Sequence, residues 1–200
     1  MINVIFKDFS YEITPKKMEL FEKYNKVIQW GRRHPTRFME EFLGLVFTDH
    51  QKYILLSTWD KRIAVWLMSR NSGKSYLAAP YIMTRSILIP NHATYIMCPA
   101  GTQAQETFTK IEDLAKCKIQ SVSGATKVFW DELIKAGTSD GFVHDKNSYH
   151  CELFNGSTIN TLNSNPKTIV GMRSNRVVLK QGFLTIIFVS SFKIIIEQNR

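Results

Sequence analysis

The chain has 200 residues, long enough for a domain with a substantial core, and its 44% hydrophobic content excludes an intrinsically disordered chain. The formal net charge of +9 would suit a nucleic-acid partner, but residues 153–200 contain six basic residues and only one acidic residue, Glu197. The net positive charge therefore comes mainly from a shortage of acidic residues near the C-terminus. This distribution excludes a dedicated basic patch as the main source of the charge.

Three helices are predicted in the N-terminal quarter. Thr14 is a good N-cap for a helix over residues 15–31, which begins with proline and carries an apolar stripe. A second helix is predicted over residues 36–43, and a third begins with Asp49 as its cap. The first 46 residues are therefore expected to form a helical segment.

A strand, a short loop and a helix are predicted next. Residues 63–68 form an uninterrupted apolar run, as expected of a strand that is buried on both faces of a parallel sheet. The loop Ser-Arg-Asn-Ser-Gly-Lys-Ser covers residues 69–75, and a helix is predicted over residues 76–88, with a kink at Pro80. This order lets backbone N–H groups and the positive end of a helix dipole converge on a phosphate.

The loop resembles a phosphate-binding loop without its first glycine, because Met68 stands where G-x-x-x-x-G-K-[ST] has Gly. Gly73 would allow close backbone approach, the Lys74 ammonium would contact the β- and γ-phosphates, and the Ser75 hydroxyl would ligate Mg²⁺. The alternative is a Gly-Lys-Ser turn that merely precedes an ordinary helix.

The remaining elements alternate between strands and helices, which favours an α/β fold with a parallel sheet. The pattern predicts strands over residues 93–98 and from Arg176 to Leu179, helices over residues 102–116 and 125–136, and a hairpin over residues 151–160 that turns at Asn155-Gly156.

Read with its surroundings, the loop resembles that of the terminase large subunit, the ATPase of the DNA-packaging motor of tailed bacteriophages. That family often lacks the leading glycine and has an arginine three residues before the Gly of Gly-Lys, where this chain has Arg70. The resemblance implies that Arg70 reaches the γ-phosphate. It also implies a P-loop NTPase-like three-layer fold with a mostly parallel sheet.

Three further segments carry the resemblance. Residues 47–53 are similar to the family's adenine-reading segment, which implies that the Gln51 amide contacts the edge of adenine. Residues 95–105 are similar to the strand, turn and helix that follow the first βα unit. Residues 155–157 and 171–175 resemble the family's approach to its acidic motif.

The resemblance ends after Leu179. The family continues this strand into Asp-Glu, which supports Mg²⁺ and polarises the attacking water, whereas this chain has Lys180 and Gln181. Residues 153–196 contain no acidic residue, and the family's nuclease domain is missing. We expect a truncated or frame-shifted gene product whose fold is incomplete, with a partial ATPase domain over residues 47–179 and an atypical hydrophobic tail over residues 180–200.

The tail is expected to lack a native partner surface, so that an unpaired apolar strand would promote aggregation. Deleting residues 183–200 is accordingly expected to improve solubility. Unfolding on deletion would instead identify the tail as a core strand and weaken the frame-shift interpretation.

These inferences define the expected function: a fragment of a packaging ATPase that binds ATP with Mg²⁺ but hydrolyses it poorly. Its expected partners are double-stranded DNA and, in the intact family, a small terminase subunit and the portal ring. The alternatives are a stand-alone helicase-like P-loop ATPase and a non-catalytic nucleotide- or DNA-binding module. The expected catalytic residues are Arg70 and Lys74; the expected nucleotide-binding residues are Gln51, Ser69, Arg70, Asn71, Ser72, Gly73, Lys74 and Ser75; and the expected Mg²⁺ ligand is Ser75.

Location and cysteine chemistry complete the expectations. No apolar signal segment follows Met1, which predicts a protein of the host cytoplasm with no membrane partner and no place in the mature virion. Cys98, Cys117 and Cys151 are odd in number and widely spaced, which predicts reduced thiols and no zinc site.

Overall fold

The computed structural model describes residues 15–69, 72–98, 101–118, 127–135, 137, 139–146, 148–163, 173–181 and 185–193. Within these ranges helices and strands alternate over much of the chain. The helices are α1 (Pro15–Arg33), α2 (Pro35–Phe42), α3 (Asp49–Trp59), α4 (Lys74–Leu88), α5 (Gly101–Ala115) and α6 (Val128–Asp131), and the strands are β1 (Ile63–Leu67), β2 (Ala93–Cys98), β3 (Phe142–His144), β4 (Tyr149–Glu152), β5 (Thr158–Asn163), β6 (Arg173–Gln181) and β7 (Thr185–Lys193).

The N-terminal helices match the sequence pattern except at their boundaries. Helix α1 starts at Pro15 as predicted, whereas α2 starts one residue before Thr36, with His34 as its N-cap. Gly44 follows α2 with a φ of +66°, a left-handed conformation that ends a helix. Helix α4 continues through Pro80 without a break. The predicted helix over residues 125–136 is reduced to α6 among the described residues, and residues 125, 126 and 136 lie outside the described ranges.

The described strands form one seven-stranded sheet in the order β1-β7-β6-β2-β5-β4-β3. Strand β2 is parallel to both β5 and β6, and the other four pairs are antiparallel. Five strands therefore run in one direction, and β4 and β7 run in the other. The α/β class is confirmed, but the prediction of a mostly parallel sheet is wrong.

The physical reason lies in three short, hairpin-like connections, which join β3 to β4, β4 to β5 and β6 to β7. Strands β4 and β5 are joined by the predicted turn at Asn155-Gly156, where Gly156 has a φ of +78°, and this close connection forces antiparallel pairing. Strand β7 follows β6 after a gap of three residues and returns along it, with Val178 opposite Phe188. A pattern of apolar runs identifies strands but does not give their direction.

Strand β7 pairs on one side with β6 and on the other with β1. Ile186 and Phe188 are buried. The ring of Phe188 packs against the rings of Trp66 and Tyr81, with distances between ring centroids of 4.5 Å and 4.8 Å. The expectation that the tail has no partner surface is therefore wrong for residues 185–193. Residues 182–184 and 194–200 of the predicted tail lie outside the described ranges.

Strand β1 is an edge strand among the described residues, and the prediction that it is buried on both faces is also wrong. Trp66 is buried towards the helices, but Ile63, Val65 and Leu67 on the other face are 65%, 52% and 75% exposed. An edge strand can be as apolar as a central strand. An apolar run in the sequence therefore does not show how many neighbouring strands pair with it.

The main core lies between the helices and one face of the sheet. Residues that alternate along the strands face this core, among them Ile96, Val178, Ile186 and Phe188. The opposite face carries a small second cluster around Met97 and Val177. This asymmetry places α4 and the loop before it against the well-packed side of the sheet.

Candidate phosphate-binding site

The loop that joins β1 to α4 lies at the edge of the sheet where β2, β5 and β6 also end. Register shows the alignment directly, because Leu67 of β1 lies opposite Thr185, which in turn lies opposite Gln181 at the end of β6. In α/β sheets this carboxyl edge is the usual place for ligand sites. Arg70 and Asn71, two of the predicted site residues, lie outside the described ranges.

Gly73 is the N-cap of α4, with φ +82° and ψ +13°. Only glycine adopts this left-handed conformation without strain. Among the described residues, the nearest atom to a Cβ built on Gly73 would be Nε2 of Gln51, at 3.9 Å. The structure thus assigns Gly73 a conformational role, whereas the sequence suggested close approach to a ligand.

The Lys74 side chain is folded back into the loop. Its ammonium donates hydrogen bonds to the carbonyl oxygens of Met68 at 2.7 Å and Ser69 at 2.6 Å, and to Oγ of Ser72 at 3.4 Å. The residue is only 8% exposed. The loop therefore closes around one positive charge.

The serines of the loop have two different roles. The Ser72 hydroxyl donates to the Ser69 carbonyl at 2.7 Å, which tightens the turn. Ser75 lies half-buried in the first turn of α4. The first N–H groups of an α-helix have no partner within the helix, so this turn presents donors and the positive end of the dipole.

Gln51 has a structural role that the sequence interpretation missed. Thr48, not Asp49, is the N-cap of α3, and the Gln51 side chain accepts a hydrogen bond from the Thr48 N–H at 3.0 Å to complete a capping box. Thr-x-x-Gln before the helix was the available signal. The amide nitrogen remains beside Gly73, so the structure brings Gln51 to the loop.

A groove of about 270 Å³ lies between α3 and β1, next to this loop. His50, Ile54 and Ser57 line it from α3, and Met68 lines it from the end of β1. Sequence reasoning did not assign Ile54, Ser57 or Met68 to a site. Along α3, His50, Ile54 and Ser57 are spaced at i, i+4 and i+7, and this spacing was the signal that they share one helix face.

At the end of β6, the side chain of Lys180 carries a positive charge. The Lys180 ammonium lies 3.7 Å from a carboxylate oxygen of Glu106 on α5, an exposed side chain. Cys98 at the end of β2 is nearby, and burial raises the pKa of its thiol to about 11, against the lowering influence of Lys180. Among the described residues, the carboxylate that lies beside Lys180 therefore comes from a helix, α5.

The acidic residues Glu132 and Glu152 lie away from this end of the sheet. Glu152 pairs with Thr158 at the start of β5, the opposite edge of the sheet from the loop. Glu132 ends α6, where burial raises its pKa and the Tyr24 hydroxyl contacts it at 3.5 Å. Glu197 lies outside the described ranges.

Metal and cysteine chemistry add little to this site. In the described part of the chain no three His, Cys, Asp or Glu residues are grouped so that they could hold a metal ion. Cys98, Cys117 and Cys151 are free thiols. None of the helices within the described ranges is both long and apolar enough to cross a membrane.

Comparison with protein-family models found no family that matches this chain. Comparison with curated proteins found no similar sequence either.

Proposed function

We propose that this chain binds the phosphates of ATP with the loop between β1 and α4. The supporting observation is the buried Lys74 ammonium, which three loop oxygens hold at the N-terminus of α4. A helix N-terminus and a lysine charge together suit a phosphate group. On binding, the ammonium would exchange loop oxygens for phosphate oxygens.

Further residues suit the rest of the nucleotide. Ser75 is half-buried in the first turn of α4, and its hydroxyl would ligate a phosphate-bound Mg²⁺, which would neutralise phosphate charge. The groove beside α3 offers His50, Ile54 and Met68 as apolar and flat surfaces for a base. The amide nitrogen of Gln51, which lies beside Gly73, would donate to that base, while its oxygen serves the capping box.

The proposed ancestry is a terminase large subunit with a P-loop NTPase-like fold. The order β1, loop and α4, together with parallel pairing of β2 with β5 and β6, supports this proposal. Strand β7 lies between β1 and β6 and is antiparallel to both, which departs from the mostly parallel sheet that this ancestry implies. Double-stranded DNA, a small terminase subunit and a portal ring are the partners that this ancestry proposes.

Hydrolysis is proposed to be weak. Phosphoryl transfer depends on carboxylates that position metal and water, and the end of β6 carries Lys180 in place of an acid. The same observation favours a second candidate, a nucleotide-binding module without catalytic activity. Measuring steady-state phosphate release separates the two, because release that is lost in Lys74→Ala would reveal a working ATPase.

Binding is tested by calorimetric titration of ATP with Mg²⁺ into the wild type, Lys74→Ala and Lys110→Ala. Lys110 is an exposed lysine on α5 and provides the matched loss of one charge. We expect Lys74→Ala to weaken ATP binding by about tenfold or more, as for a lost charge-assisted hydrogen bond, and Lys110→Ala to have no effect. Equal binding by all three proteins would refute the proposal.

A further inference from the structure

A second polar cavity lies at the end of the sheet where β1 and β2 begin, opposite the end that carries the loop. Its volume is about 300 Å³, and Arg62, which immediately precedes β1, and Arg176, which pairs with Thr94 near the start of β2, both line it. The cavity is therefore separated from Lys74 by the length of the strands.

The lining of this cavity is strongly basic. Four arginines, Arg32, Arg62, Arg85 and Arg176, line it with Lys61, and Asp60 is the sole acidic residue among them. Within the described ranges none of the four arginines forms an ion pair with a carboxylate. Several guanidinium groups therefore share a small space with little neutralising charge.

Helix C-termini explain how the fold holds these cations in place. Arg32 Nε donates to the Leu88 carbonyl at the end of α4 at 2.7 Å, and Arg85 Nη1 donates to the Trp59 carbonyl at the end of α3 at 2.8 Å. The negative ends of helix dipoles stabilise such charges. These bonds use a minority of the five donors that each guanidinium carries.

Two guanidinium groups keep a buried donor without a partner. Arg176 is 1% exposed, and its Nη atoms bond to oxygens of Lys61, Thr58, Tyr81 and Ser190. Its Nε, like that of Arg85, is buried without a hydrogen-bond partner in the described structure. Buried unpaired donors on charged groups are costly and unusual in folded proteins.

The surrounding electrostatics agree with an excess of positive charge. His92 is buried, and burial together with the charges of Arg85 and Arg176 lowers its pKa to about 3. Burial also lowers the pKa of Arg176 itself. An anion in the cavity would relieve both effects.

We propose that this cavity is an oxyanion site that binds a phosphate group. Guanidinium forks match the several oxygens of a phosphate, and more than one arginine can bind it at once. The cavity is large enough for a phosphate alone or for a phosphate with an attached group. The ligand is therefore either free phosphate or a phosphodiester of a nucleic acid strand. The proposal is independent of nucleotide binding at Lys74, which lies at the other edge of the sheet.

The test uses the full chain with Lys74→Ala throughout, so that the loop after β1 does not contribute. Arg62 is the residue to change, because its side chain is exposed and makes no hydrogen bond in the described structure, so that its loss leaves the fold intact. The control is Arg37→Gln, which removes an exposed arginine of α2 outside the cavity. The melting temperature is followed as inorganic phosphate replaces chloride at constant ionic strength.

Phosphate is expected to raise the melting temperature saturably, and Arg62→Gln to weaken the apparent affinity by about tenfold, while Arg37→Gln leaves it unchanged. An oligothymidylate that competes with phosphate would identify a phosphodiester as the ligand, and no competition would identify free phosphate. Stabilisation no greater than that by chloride, or an equal loss in both variants, would overturn the proposal.

Discussion

The indole N–H of Trp66 donates a hydrogen bond of 2.7 Å to the hydroxyl of Thr58, and both residues are buried. Trp66 belongs to β1, which leads into the loop, and Thr58 belongs to the last turn of α3, whose first turn carries Gln51. The Thr58 hydroxyl donates in turn to the Ile54 carbonyl at 2.8 Å. This bond therefore fixes the two walls of the groove beside the loop.

We predict that Thr58→Val lowers the free energy of unfolding by roughly 1–3 kcal/mol, because the indole N–H would then be buried without an acceptor. Urea unfolding measures the change. Thr109→Val is the matched control, since Thr109 is exposed on α5 and bonds only to its own helix. The control is expected to stay within about 0.5 kcal/mol of the wild type. Similar values for both variants would mean that the Trp66 bond contributes nothing.

Phe188→Ala tests whether β7 is part of the core. Phe188 is fully buried and packs against Trp66 and Tyr81, so truncation should cost about 3–5 kcal/mol. Ile187→Ala is the control, since its side chain lies half-buried on the opposite face of the same strand and should cost clearly less. Thermal unfolding of the two variants measures the difference.

Deletion of residues 183–200 extends this test. Strand β7 pairs with both β1 and β6, so we expect the shortened chain to lose cooperative unfolding. A more soluble and still cooperative shortened protein would instead support the view that the tail is foreign to the fold.

Two substitutions at Gly73 separate conformation from close approach to a ligand. Because φ is +82°, Gly73→Ala should destabilise the protein by about 1–2 kcal/mol, while Gly73→Asn should cost less, since asparagine tolerates left-handed backbone. The measurements are thermal unfolding and calorimetric ATP titration. If both variants fold but neither binds ATP, then ATP binding requires both the left-handed conformation and the absence of a side chain at position 73.

Acid should weaken a network that joins α5 to β3. Glu112 accepts hydrogen bonds from Lys116 and, at 2.8 Å, from His144. Burial alone would raise the pKa of Glu112, but these two partners outweigh burial and hold the pKa below its ordinary value of 4.5. Asp140, which also accepts from Lys116, has a lowered pKa as well, again against the effect of burial.

A carboxyl group with a lowered pKa in the folded state stabilises the fold fully above its unfolded pKa, and this contribution is lost as the pH falls through the folded value. The free energy of unfolding should therefore decline below pH 4.5, the ordinary pKa of Glu112. Glu112→Gln should lower stability by about 1–3 kcal/mol at neutral pH and flatten this decline. Urea unfolding across the acid range would count against the network if the variant retained the full slope.

Local patterns in the sequence identified several elements correctly. Proline at the start of α1, the apolar run of β2 and the Asn155-Gly156 turn each have a short-range physical cause, and each lies where the pattern predicted. The order of β1, loop and α4 was also visible, because it depends on neighbours in the chain.

The capping box of Thr48 and Gln51 shows why the role of a predicted site residue was incompletely predicted. The same glutamine can close a helix N-terminus or face a ligand, and the choice depends on what lies beside its amide, here Gly73 from a different element. The basic cavity is a stronger case, because Arg32, Arg62, Arg85 and Arg176 are far apart in the sequence and meet only through packing.

The sequence by itself determined much of the alternation of helices and strands and the position of the loop between β1 and α4, because these depend on interactions within a few residues. Only the tertiary structure decided that β1 is an edge strand, that β7 lies between β1 and β6, and that four arginines share one cavity. The physical reason is that the type of a side chain, apolar or basic, does not specify the direction of its strand or the residues that it will contact. Strand direction and these contacts are set by pairing across the sheet and by packing of the helix ends.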